Sequence, residues 1–155
     1  MERTETTTTS TTTTTIWAWT RGEYTISTDR RRLDVDVIHG FLRRSYWAAE
    51  RDRDTVVRSI ERSLSFGLYR GETQVGFARV VTDFVTVAFL ADVFVLEECR
   101  GRGLGTWLVE VVTEIPELRG VRRWLLRTQD AHGLYRKFGF RDASAENMMQ
   151  RLPDG

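Results

Sequence analysis

Residues 93–105 read VFVLEECRGRGLG, an apolar run followed by a short polar segment and three glycines at alternate positions. From Leu104 to Ile115 the apolar residues recur at helical spacing, and the pattern stops at Pro116. This order predicts a strand, a glycine loop and a helix. The unpaired N–H groups at the start of such a helix, and the positive end of its dipole, favour a phosphate or pyrophosphate. A plain strand-to-helix turn is the alternative, and the glycine spacing argues against it.

Two familiar phosphate-binding patterns do not fit this loop. A Walker loop requires lysine after its last glycine, whereas Gly105 is followed by Thr106. The dinucleotide fingerprint requires glycine at the position that Thr106 holds, and it normally opens a domain rather than falling two-thirds along the chain. The loop therefore predicts neither nucleoside triphosphate hydrolysis nor a Rossmann fold.

The rest of the chain alternates between strand-like and helix-like segments, which predicts a mixed α/β domain. Helices are expected after Asp34, after an N-cap at Asp54, and around residues 131–138, where Asp130 is the expected N-cap. Strands are expected in the following places, the fourth in the middle of the sheet and the last as one or two closing strands: residues 24–28, 66–70, 74–82, 87–96, 124–128 and 140–152.

Residues 4–15 contain ten threonines, one serine and one glutamate. Because nothing in this run is apolar, it has no face to bury. We predict a disordered threonine-rich tail over residues 1–15 and one folded domain over residues 16–155.

The overall composition excludes several classes of protein. The chain has 155 residues and a formal net charge of +1, so no global field favours nucleic acid or an anionic membrane. No apolar stretch is long enough to span a membrane, and the N-terminus lacks a signal-peptide pattern. The single cysteine and two histidines offer no zinc spacing, so no metal is expected. We expect a cytoplasmic protein, either a monomer or a homodimer.

The glycine segment resembles the acetyl-CoA-binding motif of the GNAT superfamily of N-acetyltransferases: glutamine or arginine, two residues, glycine, one residue, then glycine or alanine. Arg100, Gly103 and Gly105 match it. A second family motif, Leu-Tyr, three residues, Gly-Phe, resembles residues 134–140, LYRKFGF. The two motifs together identify the chain as similar to small bacterial-type members of the family. The resemblance implies a mostly antiparallel sheet flanked by helices, with splayed central strands.

The resemblance also implies where acetyl-CoA binds. In the family the pantetheine arm lies along the splayed strand and the pyrophosphate lies on the loop amides. Thr128 stands where many members have asparagine, and its hydroxyl can still donate one hydrogen bond. The implied cofactor-binding residues are Val93, Phe94, Val95, Arg100, Gly101, Arg102, Gly103, Leu104, Gly105, Thr106 and Thr128.

The implied reaction is direct attack of a neutral primary amine on the acetyl thioester, without a covalent enzyme intermediate. A strand N–H near Phe94 or Val95 would stabilise the oxyanion, and family analogy assigns Tyr135 as the acid that protonates the leaving thiolate. Asp92, a single charge in an apolar strand, is a candidate general base. A carboxylate satisfied by an arginine or by backbone donors is an equal alternative, and water is another route for the proton.

The acceptor is predicted to be a small-molecule or peptide amine, with Tyr46, Trp47 and Phe84 as candidate walls of its site. A non-catalytic acyl-CoA-binding sensor is the main alternative. Transfer of a larger acyl group and RNA binding are weaker ones.

Overall fold

The computed structural model describes residues 2–9 and 12–153, and within them a seven-stranded sheet whose strands follow chain order. Every neighbouring pair is antiparallel except the last, β6 with β7, which is parallel. The prediction of a mixed, mostly antiparallel sheet is confirmed. The strands are β1 (Glu2–Thr9), β2 (Thr12–Arg21), β3 (Tyr24–Ser27), β4 (Leu64–Arg70), β5 (Thr73–Thr82), β6 (Val87–Val95) and β7 (Arg123–Leu126).

Helices pack on both faces of this sheet. They are α1 (Val35–Leu42), α2 (Arg53–Glu61), α3 (Leu104–Glu114) and α4 (His132–Arg136), with short 3-10 turns at Arg30–Arg32, Glu97–Cys99, Pro116–Leu118 and Ala145–Asn147. The buried side chains form two clusters, one around α3 and one around α1 and α2. Phe77 belongs to the α1–α2 cluster and its neighbour Ala78 to the α3 cluster, as expected for a strand with a core on each side.

The helix that follows the glycine loop, α3, begins and ends where the sequence predicts. The N-cap predicted for α2 is wrong. Asp52, not Asp54, accepts the Thr55 N–H at 2.8 Å and starts this helix. At α1 the prediction is confirmed, since the Asp34 carboxylate accepts from the N–H groups of Asp36 and Val37. Both acidic caps also complement the positive end of the helix dipole.

The predicted disordered tail is corrected by the structure. Residues 2–9 and 12–15 lie in β1 and β2, which pair antiparallel from Glu2 opposite Trp19 to Thr9 opposite Thr12. Residues 1, 10 and 11 lie outside the described part. Threonine favours extended backbone, and β2 continues without a break into Ile16 and Trp17, which pack on the domain. This continuous strand provides the edge with which residues 2–9 pair.

The far end of the sheet also differs from expectation. No strand forms between residue 140 and residue 153; the described part has only the 3-10 turn at Ala145–Asn147. Strand β6, predicted to lie in the middle of the sheet, is next to β7, the last strand in the described order. A run that is apolar on both faces therefore marks burial by helices above and below, not a central position.

Strands β5 and β6 approach closely at Gly76, which gives a stability prediction. A Cβ at this position would lie 2.9 Å from the Phe94 carbonyl oxygen and 2.8 Å from a Leu68 methyl carbon. Because the carbonyl belongs to the backbone of β6, it cannot move aside cheaply. Gly76→Ala should lower the free energy of unfolding by about 1–3 kcal/mol, measured by urea denaturation.

Gly40→Ala is the matched control for this measurement. Gly40 lies in α1 with nothing within 4 Å of an added Cβ, so alanine there should raise the free energy of unfolding by about 0.8–1 kcal/mol through helix propensity. Equal effects of the two substitutions would contradict the close approach of β5 and β6.

Candidate functional site

The site begins where β6 and β7 separate. The parallel pairing runs only from Val87 opposite Arg123 to Leu90 opposite Leu126, so residues 91–95 of β6 have no strand partner on that edge. The Leu96 N–H donates to the Val75 carbonyl, toward β5. Because main-chain groups of successive residues point to opposite edges, the N–H of Val95 faces the gap left by β7. The predicted splay is present, with main-chain groups along its wall.

A β-bulge at Asp92 shapes this wall. Phe77 pairs with Phe94 and Arg79 pairs with Ala91, so β6 carries one more residue than β5 in this interval. Asp92 adopts a positive φ of 55°, a conformation that only a few per cent of non-glycine residues take. Phe94, beyond the bulge, turns its ring toward α1 and stacks on Phe41 with a centroid distance of 4.1 Å. Before the bulge, Ala88 and Leu90 pack in the α3 cluster, whereas Phe94 packs in the α1–α2 cluster, so the bulge reverses the face that even-numbered residues of β6 occupy.

Three side chains hold the buried carboxylate of Asp92. Arg51 Nη1 donates to both oxygens at 2.8 and 2.9 Å, Arg79 Nε donates to Oδ2 at 2.9 Å, and Trp47 Nε1 donates to Oδ1 at 3.0 Å. The Asp92 side chain is 2% exposed. This arrangement favours the alternative named from the sequence, a carboxylate satisfied by arginine, over the general base.

The glycine loop delivers free main-chain donors to the same end of the sheet. Gly101 and Gly103 have φ values of 80° and 75°, in the left-handed region that glycine adopts without strain. Gly103 is the N-cap of α3, and no side chain caps this helix start. The N–H groups of the first turn therefore point outward without an intrahelical partner. Their geometry suits an anion with several oxygens.

The two arginines of the loop are tied to the fold. Arg100 Nε donates to the Val95 carbonyl at 3.1 Å, and Arg102 Nη1 donates to the Tyr24 hydroxyl at 2.9 Å. Arg100 thus fixes the end of β6 to the loop. Leu104 is buried in the α3 cluster, and an added Cβ at Gly105 would touch a Val95 methyl carbon. The other predicted loop residue, Thr106, lies in the first turn of α3.

Tyr135 lies on α4, which follows the carboxyl end of β7. It is 9% exposed and lines a cleft of about 780 Å³ together with Thr128, Trp124 and Phe140. Burial raises the pKa of the Tyr135 phenol to about 12, and the nearby Tyr46 and Asp130 add smaller effects in the same direction. The phenol is therefore fully protonated at neutral pH, as a general acid requires.

Thr128 has a structural role that the sequence did not reveal. Its hydroxyl oxygen accepts the Ala131 N–H at 3.1 Å, just before α4 begins. The prediction that Asp130 caps this helix is wrong. The N-cap residue is Ala131, whose side chain makes no capping hydrogen bond. Thr128 also lines the cleft beside Tyr135, and its hydroxyl proton is left to donate.

The predicted acceptor walls separate into two places. Tyr46 and Trp47 lie in the segment between α1 and α2, in edge-to-face contact with centroids 5.1 Å apart, and the Tyr46 hydroxyl accepts the Gln129 N–H at 3.0 Å. Phe84 lies in the β5–β6 turn, at the opposite end of β6. The stretch of β6 from Val87 to Asp92, roughly 17 Å of extended chain, lies between this turn and the carboxylate that Trp47 contacts. Placing Phe84 with the other two is therefore corrected.

Sequence reasoning missed Arg51, Arg79 and Gln129. A single carboxylate in an apolar strand signals that a partner exists, because buried charges are paired. That signal cannot choose among so many arginines scattered along the chain. Gln129 contributes its main-chain N–H, which leaves no trace in a side-chain pattern.

Within residues 2–9 and 12–153, no group of three or more histidine, cysteine, aspartate or glutamate side chains is placed to hold a metal ion. Among the same residues, none of the helices is long and apolar enough to cross a membrane.

Comparison with known proteins gives a consistent result. A family model described as the acetyltransferase (GNAT) family matches residues 15–140. A Gibberella zeae protein named as a predicted acetyltransferase is 35% identical over 148 residues, covering 80% of this chain and 82% of that protein. A crystal structure from Xanthomonas campestris, described as a GNAT-family protein, is 43% identical with a TM-score of 0.80, covering 83% of this chain and 92% of the other. A Clostridium acetobutylicum protein solved with acetyl-CoA shares the fold, with a TM-score of 0.59 at 13% identity over 79% of this chain and 92% of that one.

Proposed function

The chain belongs to the acetyltransferase (GNAT) family, and from this membership we propose that it transfers an acetyl group from acetyl-CoA to a primary amine of a small molecule or peptide. The observation that carries the proposal is the early end of the β6–β7 ladder at Leu90 and Leu126. Because the two strands are parallel, their carboxyl ends bring the glycine loop and Tyr135 to the same edge of the sheet.

The residues at this edge fit acetyl-CoA. The unpaired edge of β6 over residues 91–95 offers main-chain groups to an extended pantetheine arm, as in strand addition. The free N–H groups at the start of α3 suit a pyrophosphate, with Gly101 and Gly103 leaving the backbone accessible. In the Clostridium acetobutylicum protein of the same fold, acetyl-CoA is present.

When bound, acetyl-CoA supplies an acetyl group activated as a thioester. The chain's own residues then have two tasks. The Val95 N–H, which faces the gap, is the main-chain donor available to the oxygen that gains negative charge when the amine attacks. Tyr135 gives its phenolic proton to the sulfur as the carbon–sulfur bond breaks, and the proton released by the new amide nitrogen leaves through water.

Direct attack agrees with the state of the single cysteine. Cys99 is 2% exposed and packs in the α3 cluster. A buried thiol in apolar surroundings is a poor nucleophile, so the chain offers no cysteine for a covalent acyl intermediate.

The cofactor assignment predicts stabilisation by acetyl-CoA. At about 100 times its dissociation constant, the ligand should add about 2.7 kcal/mol to the free energy of unfolding, seen as a raised melting temperature. Gly103→Ala should reduce this stabilisation, because it places a side chain at a left-handed N-cap in the loop.

Gly71→Ala is the control for backbone strain. Gly71 has φ of 60° in the β4–β5 turn, so alanine there should lower the melting temperature without changing the stabilisation by acetyl-CoA. A wild-type protein that acetyl-CoA does not stabilise at millimolar concentration would exclude the cofactor site.

The acid assignment predicts the effect of Tyr135→Phe. Loss of the phenolic proton donor should lower kcat for acetyl transfer by about 10²-fold, measured by thiol release with a panel of amines. Stabilisation by acetyl-CoA should be unchanged, which serves as the folding control. An unaltered kcat would remove the catalytic role, and a protein that binds acetyl-CoA but acetylates no amine would be the non-catalytic module instead.

The raised pKa of Tyr135 predicts that acetyl transfer continues at alkaline pH. The protonated phenol is the active form, and with a pKa of about 12 it persists well above the range in which an ordinary tyrosine ionises. With saturating amine, kcat should show no decrease attributable to this group up to about pH 10.5. Circular dichroism at each pH checks that the protein stays folded, and a decrease with a midpoint below pH 10 in folded protein would contradict the assignment.

A further inference from the structure

We propose that Asp92 is a positioning residue that holds the acceptor loop, residues 43–52 between α1 and α2, against the bulge of β6. The proposal rests on the proposed function, because it assigns to this loop the binding of the amine. It gives Asp92 no proton-transfer role. The four hydrogen bonds that Asp92 accepts come from two residues of the loop, Arg51 and Trp47, and one residue of β5, Arg79.

The carboxylate has no free acceptor position for a substrate proton. An ionised carboxyl group offers about four lone-pair sites, and each oxygen of Asp92 already accepts two hydrogen bonds. Two of the three donor residues are guanidinium groups, so these bonds are of the strong, charge-assisted kind. A general base needs an exposed lone pair that reaches the amine, and this carboxylate lacks one.

The charges make the attachment hard to undo. The side chains of Asp92, Arg79 and Arg51 are 2%, 11% and 30% exposed, so burial increases from the loop inward to β6. Removing one partner of a buried ion pair leaves an uncompensated charge in apolar surroundings. Arg79 remains with Asp92 if Arg51 is lost, and its Nη1 also donates to the Ser63 hydroxyl. Arg51 is therefore the point at which the loop can be released while the inner pair stays intact.

The acceptor loop also contacts the rest of the fold through an exposed ion pair of Arg44 with Glu97 at 3.0 Å and the exposed hydrogen bond from the Gln129 N–H to the Tyr46 hydroxyl, both weaker than the buried bonds to Asp92. The Ser45 hydroxyl and the buried Ala48 fix its first half, and a ring nitrogen of His39 lies 3.2 Å from the Arg51 carbonyl oxygen. The loop also lines a cavity of about 500 Å³, whose walls include Tyr46, Trp47, Glu50, Arg51 and Thr55. The two loop residues that bind Asp92, Arg51 and Trp47, thus also line this cavity.

The test compares three variants with saturation kinetics in both substrates. Arg51→Met removes the charged arm of the loop, and Trp47→Phe keeps the ring but removes its N–H donor. Arg58→Met is the matched control, because Arg58 on α2 pairs with Asp54 at an exposed i,i+4 position and does not contact Asp92. We expect Arg51→Met to raise the KM for the amine by about 10-fold to 100-fold, Trp47→Phe to raise it less, and Arg58→Met to leave it unchanged. The KM for acetyl-CoA should stay within about twofold in all three.

Asp92→Asn separates positioning from base catalysis. A positioning role predicts a raised amine KM for this variant, as for Arg51→Met, with most of kcat retained at saturating amine. A general base predicts loss of kcat in Asp92→Asn and an unchanged amine KM in Arg51→Met, and that result would overturn the proposal. Asp92→Asn leaves the positive charges of two arginines without a carboxylate partner, and the variant can fail to fold. The amine KM of Arg51→Met is therefore the deciding measurement.

Amide hydrogen exchange tests the loop without any substrate. In Arg51→Met, exchange of residues 43–52 should increase by about tenfold or more while that of α3 is unchanged. Equal exchange in wild type and variant would reject the proposal. If the wild-type protein acetylates no amine, the proposed function fails, and this exchange measurement still decides whether Asp92 holds the loop.

Discussion

The early end of the β6–β7 ladder is the constraint on which the site depends. Two parallel strands that stay paired for only four residues leave the second half of β6 with unsatisfied main-chain groups on one edge. Such groups are costly unless water or a ligand binds them. The bulge at Asp92 reverses the faces that the side chains of this same stretch of β6 occupy. The glycine loop is bonded to its end, because Arg100 donates to the Val95 carbonyl.

The buried carboxylate resolves a conflict between local and tertiary preference. A left-handed aspartate inside a strand is unfavourable by itself, and so is a charge in an apolar run. Both costs are offset by the same hydrogen bonds, since the bulge turns the carboxylate toward donors from β5 and from the segment after α1. A residue that opposes local rules in this way is expected where a fold serves a ligand.

The sequence predicted the periodic and motif-bearing parts well. The glycine run, the helix from Leu104, and the Leu134–Tyr135 pair combine local signals with spacing, and the structure has elements where those signals place them. The failures have tertiary causes. Residue type alone places Phe84 with Tyr46 and Trp47, but the length of β6 separates them. Composition alone predicts disorder for the threonine run, but the pairing of β1 with β2 needs only the backbone. Arg51 could not be selected because nothing local distinguishes it from other arginines.

The hydrogen bond from the Gln129 N–H to the Tyr46 hydroxyl joins two segments that are 83 positions apart in the chain. One segment is attached to β6 through Trp47 and the other follows β7, so the bond spans the open end of the gap. A neutral, solvent-accessible bond of this kind contributes about 0.5–1.5 kcal/mol, which is at most a few times the thermal energy. Breaking this bond would therefore open that end of the gap while every strand and helix, and the bonds between the acceptor loop and Asp92, stay intact.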